Sequence, residues 1–210
     1  MNAGNLRKIM ELYKKDGFVL VDDFLPKKAA EELSNLYRQT QWEEIEQVRP
    51  DHYKHVFSTS NSYFPRPDET YMAKFGKSRA LETSTRIKEI FNKYFVPLLK
   101  KVAKKNLTQF DIRCYRLKEG QFYRTHIDDY AGDIGLIYYI NKRWVWDWGG
   151  ILHVGDHLHP DFIQAIFPKF NRLVLLNHKK FRSPHFITPV TSYAAENRYT
   201  LIAFNREPRQ

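Results

Sequence analysis

Apolar residues recur at helical spacing through residues 5–15, where Ile9, Met10, Leu12 and Tyr13 share a face, and Gly17 ends the run. Phe18–Phe24 changes to a strand-like pattern. Pro26 then opens a second helix to about Arg38, since a fixed φ suits a first turn. Residues 42–80 follow neither period. They hold Pro50, Pro65 and Pro67, the Ser-Thr-Ser-Asn-Ser run at 58–62 and several aromatics, which predicts a long irregular loop with room for one strand. Loops of that length in compact proteins are often lids over a site. Residues 84–104 return to an amphipathic helical pattern, with a kink expected before Pro97.

From Phe110 the period is two. Candidate strands are Phe110–Leu117, Phe122–Asp128, Ile134–Ile140, Gly150–Val154, Asn171–Asn177, His185–Val190 and Arg198–Asn205. Turn signals separate them at Glu119-Gly120, Ala131-Gly132-Asp133, Gly149-Gly150 and Pro168. Many short strands after a helical half predict a mainly β fold with flanking α, helices packed outside a jelly roll. The expected organisation is a single domain over 1–210: helical support with a possible lid at 42–80 within 1–107, and a jelly-roll core at 108–206.

Composition narrows the class. The chain has 210 residues, 42% of them hydrophobic and 15% aromatic, which is globular rather than disordered. No apolar run is long enough to cross a bilayer, the first residues lack the apolar stretch of a signal peptide, and the lone Cys114 excludes an internal disulfide framework. A reducing cytoplasm is the expected location. The net charge of +10 is dispersed, so a solvated basic surface is favoured over an acidic partner such as RNA, a ribosome or an acidic protein patch.

The candidate chemistry lies in the strand-rich half. His126 and Asp128 are two positions apart, so on a strand they share a face, and His185 follows at the start of a late strand. Two imidazoles and one carboxylate make a facial triad. It leaves coordination positions open and suits non-haem Fe(II) that must bind a co-substrate and O₂ together. A structural zinc site would be expected to use cysteines. Arg198 follows in an apolar strand, where an unpaired charge is costly. Its planar fork suits a carboxylate, and Thr200 lies on the same face. His153, His157 and His159 form a weaker His-x-x-x-His-x-His pattern, broken by Gly155, Asp156 and Pro160. His52, His55 and His178 show no partner pattern and are read as structural.

The segment Cys114-Tyr-Arg-Leu-Lys-Glu-Gly-Gln-Phe-Tyr-Arg-Thr-His-Ile-Asp128 resembles the prolyl-hydroxylase branch of the Fe(II)/2-oxoglutarate-dependent dioxygenases. So do Ile137-Tyr-Tyr-Ile-Asn141, Trp148-Gly-Gly-Ile-Leu152, Phe167-Pro-Lys-Phe-Asn-Arg-Leu-Val-Leu-Leu176, Ser183-Pro-His-Phe-Ile-Thr-Pro-Val190 and Arg198-Tyr-Thr-Leu, in that family's order. The resemblance implies a double-stranded β-helix, with His126, Asp128 and His185 as iron ligands and Arg198 clamping the 2-oxoglutarate C5 carboxylate. It implies that Tyr139 hydrogen-bonds that carboxylate, that Tyr115 lies near the metal end, and that Thr200 adds a hydroxyl. The implied cofactor is Fe(II), with 2-oxoglutarate and O₂ as co-substrates and ascorbate as a reductant. Retention of Asp128 points to hydroxylation, because halogenating relatives lose that carboxylate.

The expected reaction is hydroxylation of a C–H bond, first in a prolyl residue of a protein or peptide. The alternatives are a free amino acid or other small molecule, or a basic binding module that keeps the fold without turnover. The nucleic-acid demethylase branch carries a second arginine where this chain has Phe204, so nucleic acid is disfavoured as a direct substrate. Trp144, Trp146 and Trp148 either form an aromatic wall for substrate or pack the core and rim.

Overall fold

A computed structural model describes residues 3–56, 64–104, 107–128, 133–156, 161, 163–178 and 184–205. Helix α1 (Ala3–Asp16) runs to Gly17 and leads into β1 (Phe18–Val21). Pro26 then stands at the N-cap of α2 (Lys27–Gln39), with φ −54°.

Residues 42–80 are more regular than their Pro- and Ser-rich composition predicts. They form β2 (Glu43–Arg49), α3 (His52–Val56) and β3 (Tyr71–Lys77). β2 pairs antiparallel with β3 from Glu43↔Lys77 to Arg49↔Tyr71. β2 is a charged edge strand that buries little of itself, so its own pattern carries no strand signal and the ladder with β3 holds it in place. The Ser-Thr-Ser-Asn-Ser run lies outside the described residues.

The amphipathic stretch before the β half is broken into α4 (Arg79–Thr83), α5 (Thr85–Ile90), a wide π turn at Phe91–Phe95 and α6 (Val96–Ala103). The hydroxyls of Ser78 and Ser84 accept from the backbone N–H of Leu81 and Ile87, each at 3.4 Å, and restart the helix. Pro97 supplies no N–H and its ring crowds the preceding turn. The Val96 N–H reaches back five residues to the Phe91 carbonyl, so the kink takes the form of a π turn.

The β half comprises β4 (Phe110–Leu117), β5 (Phe122–His126), β6 (Ile134–Tyr139), β7 (Leu152–Gly155), β8 (Ile163–Ile166), β9 (Leu173–Asn177), β10 (His185–Ile187) and β11 (Arg198–Asn205). The ladder order is β1-β9-β6-β11-β4-β3-β5-β10-β7-β8, with β2 joined to β3. The sheet curls until β9-β6-β11-β4 faces β5-β10-β7, the double-stranded β-helix expected of the sequence, with one apolar cluster drawn from both sides. β8 escaped the sequence reading because it is an exposed edge strand with only Ile166 buried. β10 is shorter than expected, since Pro189 cannot donate to a ladder.

The outer face of the sheet packs on the helices. Leu136, Tyr138, Leu173, Leu175, Leu201 and Ala203 meet Leu33, Ile87, Phe91, Phe95 and Leu99 in one buried cluster. Side chains alternate along each strand, so the residues between them point into the barrel.

Candidate metal and co-substrate site

Antiparallel pairing of β5 and β10 sets His126 directly opposite His185. The two imidazole centroids are 4.1 Å apart. Asp128 lies two residues past His126, where β5 ends, so the loop rather than the strand pleat turns its carboxylate inward. Its Oδ2 is 3.3 Å from His185 Nε2 and 3.8 Å from His126 Nε2. All three groups are buried, with one ligand atom from each within 4.8 Å of the others.

The protonation state follows from the contacts. His126 Nδ1 is 2.8 Å from the Arg124 carbonyl. A carbonyl only accepts, so Nδ1 carries the proton and Nε2 keeps its lone pair for a metal. Burial, helped by the neighbouring His185, pushes the His126 pKa down to about 3. Burial alone would raise Asp128, but the adjacent imidazoles of His126 and His185 outweigh it and hold the carboxyl well below the usual range. A neutral imidazole beside an ionised carboxylate is the donor state that a dication takes. Neighbouring ligands of an octahedral ion bound at about 2.1 Å are about 3 Å apart, close to the separations here. The donor set fits a metal ion with open positions.

Arg198 starts β11 opposite Leu117 of β4, and only 1% of it is exposed. Its Nη2 donates to the Tyr139 hydroxyl at 3.4 Å and its Cζ stands 5.0 Å from that ring's centre. No carboxylate pairs with it among the described residues, and its Nε has no hydrogen-bond partner. A buried, uncompensated guanidinium is costly, and a bound carboxylate would relieve it. Burial raises the Tyr139 pKa, so the phenol stays protonated and can donate to the same anion. Gly150 makes room for the clamp: at φ +62°, a Cβ there would meet Arg198 Cδ at 2.9 Å. Thr200 is buried on the same face of β11, in register with Tyr139 and Tyr115.

A cavity with an empty volume of about 720 Å³, its open mouth included, is lined by the three candidate ligands and Tyr115. Arg198, Tyr139 and Thr200 do not line it. They lie on the same inward faces of β6 and β11 as Ile137 and Ile202, the neighbouring inward residues, which do line it. The wall includes Gln47 and Arg49 of β2, Tyr71 and Phe75 of β3, Arg113 of β4, Tyr123 of β5, and His178. The sequence reading missed these. Arg113 was within reach, since it is two residues from Tyr115 on one strand face. His178, without a partner pattern in the sequence, lies 6.3 Å from the His185 ring and lines the cavity.

Other candidates fall away. Trp144 donates to the Gly149 carbonyl at 2.9 Å, Trp148 is buried and Trp146 is 81% exposed against Phe167; none of them lines the cavity. His153 stacks on Phe186, whereas His157 and His159 lie outside the described residues. Burial raises the Cys114 thiol to about 12, so it stays protonated.

Residues 111–204, just under half of the chain, match the family model of the 2OG-Fe(II) oxygenase superfamily, whose enzymes use Fe(II), 2-oxoglutarate and O₂. No curated protein sequence matches the chain. Among solved structures, a Pseudomonas putida prolyl-4-hydroxylase is similar at 16% identity and TM-score 0.68, covering 96% of this chain and 99% of that one. A Trichoplax adhaerens prolyl hydroxylase, solved with a hypoxia inducible factor oxygen degradation domain peptide fragment, is 18% identical at TM-score 0.66, covering 98% and 93%. The non-haem α-ketoglutarate-dependent epimerase SnoN from nogalamycin biosynthesis is 14% identical at TM-score 0.68, covering 98% and 84%. At these identities the likeness is one of fold.

Proposed function

We propose that this oxygenase hydroxylates a C–H bond of a prolyl residue in a protein or peptide. The observation that carries the reading is the convergence of His126, Asp128 and His185 on a cavity whose wall is aromatic. Phe75 and Tyr123 stack at 5.0 Å, Phe75 and Tyr115 lie 4.7 Å apart, and Tyr71 is 5.6 Å from His126. Such rings suit a compact saturated ring and exclude water from the reacting carbon. Two prolyl hydroxylases share the fold over nearly the whole chain.

His126, Asp128 and His185 would hold the iron, and with 2-oxoglutarate and O₂ it would supply the oxidising power that puts oxygen into the C–H bond. The Arg198 fork and the Tyr139 hydroxyl would receive the far carboxylate of 2-oxoglutarate, with Ile137 and Ile202 flanking its methylenes. Thr200 would add a hydroxyl on the same strand face. Tyr115, whose pKa burial raises to about 12, would keep its proton and act as a donor at the metal end. The Arg124 carbonyl, by accepting from Nδ1, would hold the His126 ring in its ligating orientation.

A second reading, a free amino acid or other small molecule as substrate, is favoured by the equal TM-score of the epimerase. The basic charge fits a ribosomal or translation-factor target, and the buried Cys114 fits a reducing compartment. Among the described residues no helix is long and apolar enough to cross a membrane. The test incubates the protein with Fe(II), 2-oxoglutarate and a prolyl peptide library or free amino acids. Succinate should form together with a product carrying one added oxygen, and His126→Ala should reduce both to the metal-free background. Undiminished turnover in His126→Ala would sink the site assignment.

A further inference from the structure

We propose that the cavity mouth is a subsite for a carboxylate carried by the substrate, held by Arg49 and Gln47 and set beside the metal ligands by Tyr71. This rests on the oxygenase reading above and adds a chemical class to its substrate.

The subsite comes from the β2 edge strand. Gln47 and Arg49 project from one face of β2 into the cavity that holds His126, Asp128 and His185. The strand's carboxylates are taken elsewhere: Glu43 by Arg79, Glu44 by Arg116 and Lys118, and Glu46 by Lys74. Arg49 has no carboxylate partner among the described residues. With the Gln47 amide turned so that its carbonyl faces Arg49, Arg49 Nε donates to it at 3.0 Å and Nη2 donates as well. Arg49 Cζ stands 6.0 Å from the centre of the Tyr71 ring. These neutral contacts orient the fork without neutralising it, which suits charge-assisted binding of an oxyanion.

Position and charge balance agree. The Tyr71 ring is itself 5.6 Å from the His126 ring, so one aromatic side chain separates the guanidinium from a candidate metal ligand. The anionic group and the reacting carbon must then lie on the same short segment of substrate. Arg113, the other guanidinium in the wall, is already neutralised by Asp111 at 2.8 Å. An iron dication against Asp128 leaves one positive charge, and with Arg198 this balances the two carboxylates of 2-oxoglutarate. Arg49 is the charge left over among the described residues that line the cavity. In a partly water-excluded pocket, an anion from the substrate is the natural complement.

The test pairs probes that differ in one group. L-proline is compared with L-prolinamide, and a prolyl peptide with Asp or Glu beside the proline is compared with the same peptide carrying Asn or Gln. The protein is loaded with Fe(II) and 2-oxoglutarate. Affinity is measured anaerobically by calorimetry, and KM and kcat are measured in air. The acid of at least one pair should bind roughly tenfold to hundredfold tighter than its amide, the size of a charge-assisted contact, with the difference appearing in KM. Arg49→Gln should erase the difference by weakening the acid and not the amide, and Arg49→Lys should restore part of it. A preference within the proline pair identifies a free amino acid as the source, and one confined to the peptides identifies an acidic peptide. Equal affinities in both pairs, absence of binding included, or a preference that survives in Arg49→Gln, would overturn the proposal. If succinate formation fails in the wild-type protein, the oxygenase reading is struck, while the anaerobic comparison still decides on Arg49.

Discussion

The two faces of β4, β6, β9 and β11 are made from alternate residues of the same strands, yet they are built by opposite rules. Toward the helices stand Leu136, Tyr138, Leu173, Leu175, Leu201 and Ala203, an apolar cluster whose one polar atom, the Tyr138 hydroxyl, is satisfied by Asn171 Oδ1 at 2.9 Å. One residue along, toward the barrel, stand Tyr139, Arg198, Thr200, Arg113 and Tyr115, a polar set in which Arg113 is paired with Asp111 but the buried Arg198 Nε has no partner among the described residues. The outer face supplies the stability that lets the inner face hold a buried charge without a carboxylate partner. A one-residue slip of register would exchange the two sets, so the alternation itself specifies the barrel.

The contrast predicts opposite consequences for neighbouring substitutions. Leu201 is fully buried on the outer face. Leu201→Ala should cost about 2–5 kcal/mol in chemical denaturation, through lost transfer energy and a residual cavity, with unchanged 2-oxoglutarate affinity in the protein that remains folded. Three residues earlier, Arg198→Met should leave stability unchanged or higher, because it removes a buried charge with an unpaired Nε. The same change should raise the 2-oxoglutarate Kd roughly thirtyfold or more, equivalent to about 2 kcal/mol or more. If Arg198→Met destabilises as much as Leu201→Ala, the division of labour between the faces is wrong.

Gly135 tests the inner face by volume rather than charge. It lies on β6, in register with Leu176 and Phe204. A Cβ added there would meet His178 Nε2 at 2.2 Å. Gly135→Ala should therefore cost about 1–3 kcal/mol and shift the His178 ring, visible as a changed imidazole resonance. Pairing it with His178→Ala should recover most of the loss, as contacting residues couple in a double-mutant cycle. Simple addition of the two costs would show that the glycine does not accommodate the imidazole.

The parts legible in the sequence were those whose signal is local. β11 and β4 were placed to the residue because alternation over eight positions leaves little freedom of register. His126, Asp128 and His185 stood out by their His-x-Asp spacing followed by a late His, and Arg198 by its charge in an apolar strand. β2 was illegible, since Glu-Glu-Ile-Glu-Gln-Val-Arg has no buried face of its own and is ordered by a partner more than twenty residues away in the chain. Arg49 and Gln47 were hidden for the same reason. His178 could not be told from any other histidine in a strand-to-loop junction until the fold set it against Gly135 and His185.

The smallest expected effect comes from a charge outside both faces. Asp22, just after β1, binds Arg172 through Oδ1 at 2.6 Å and Oδ2 at 3.0 Å, and Lys169 at 2.8 Å, tying the strand's end to the turn before β9. Here each charge meets its opposite in partly exposed surroundings, unlike Arg198. The hydrogen bonds from Arg172 dominate and, against a partial opposing effect of burial, lower the Asp22 pKa from 3.8 to about 2. A carboxyl that is more acidic in the folded than in the unfolded state stabilises above the unfolded pKa. That contribution is lost as pH falls through the folded one. With screening at this exposure, the interaction should contribute about 0.5–1 kcal/mol. Asp22→Asn should lower Tm by a constant, small amount from neutral pH down to about pH 5, and the gap should close between about pH 4 and pH 2. Added salt should narrow it at neutral pH. A gap that persists at pH 2 would mean that Asp22 acts through packing or backbone geometry, and the contrast between a satisfied rim charge and an unsatisfied interior one would lose its simplest example.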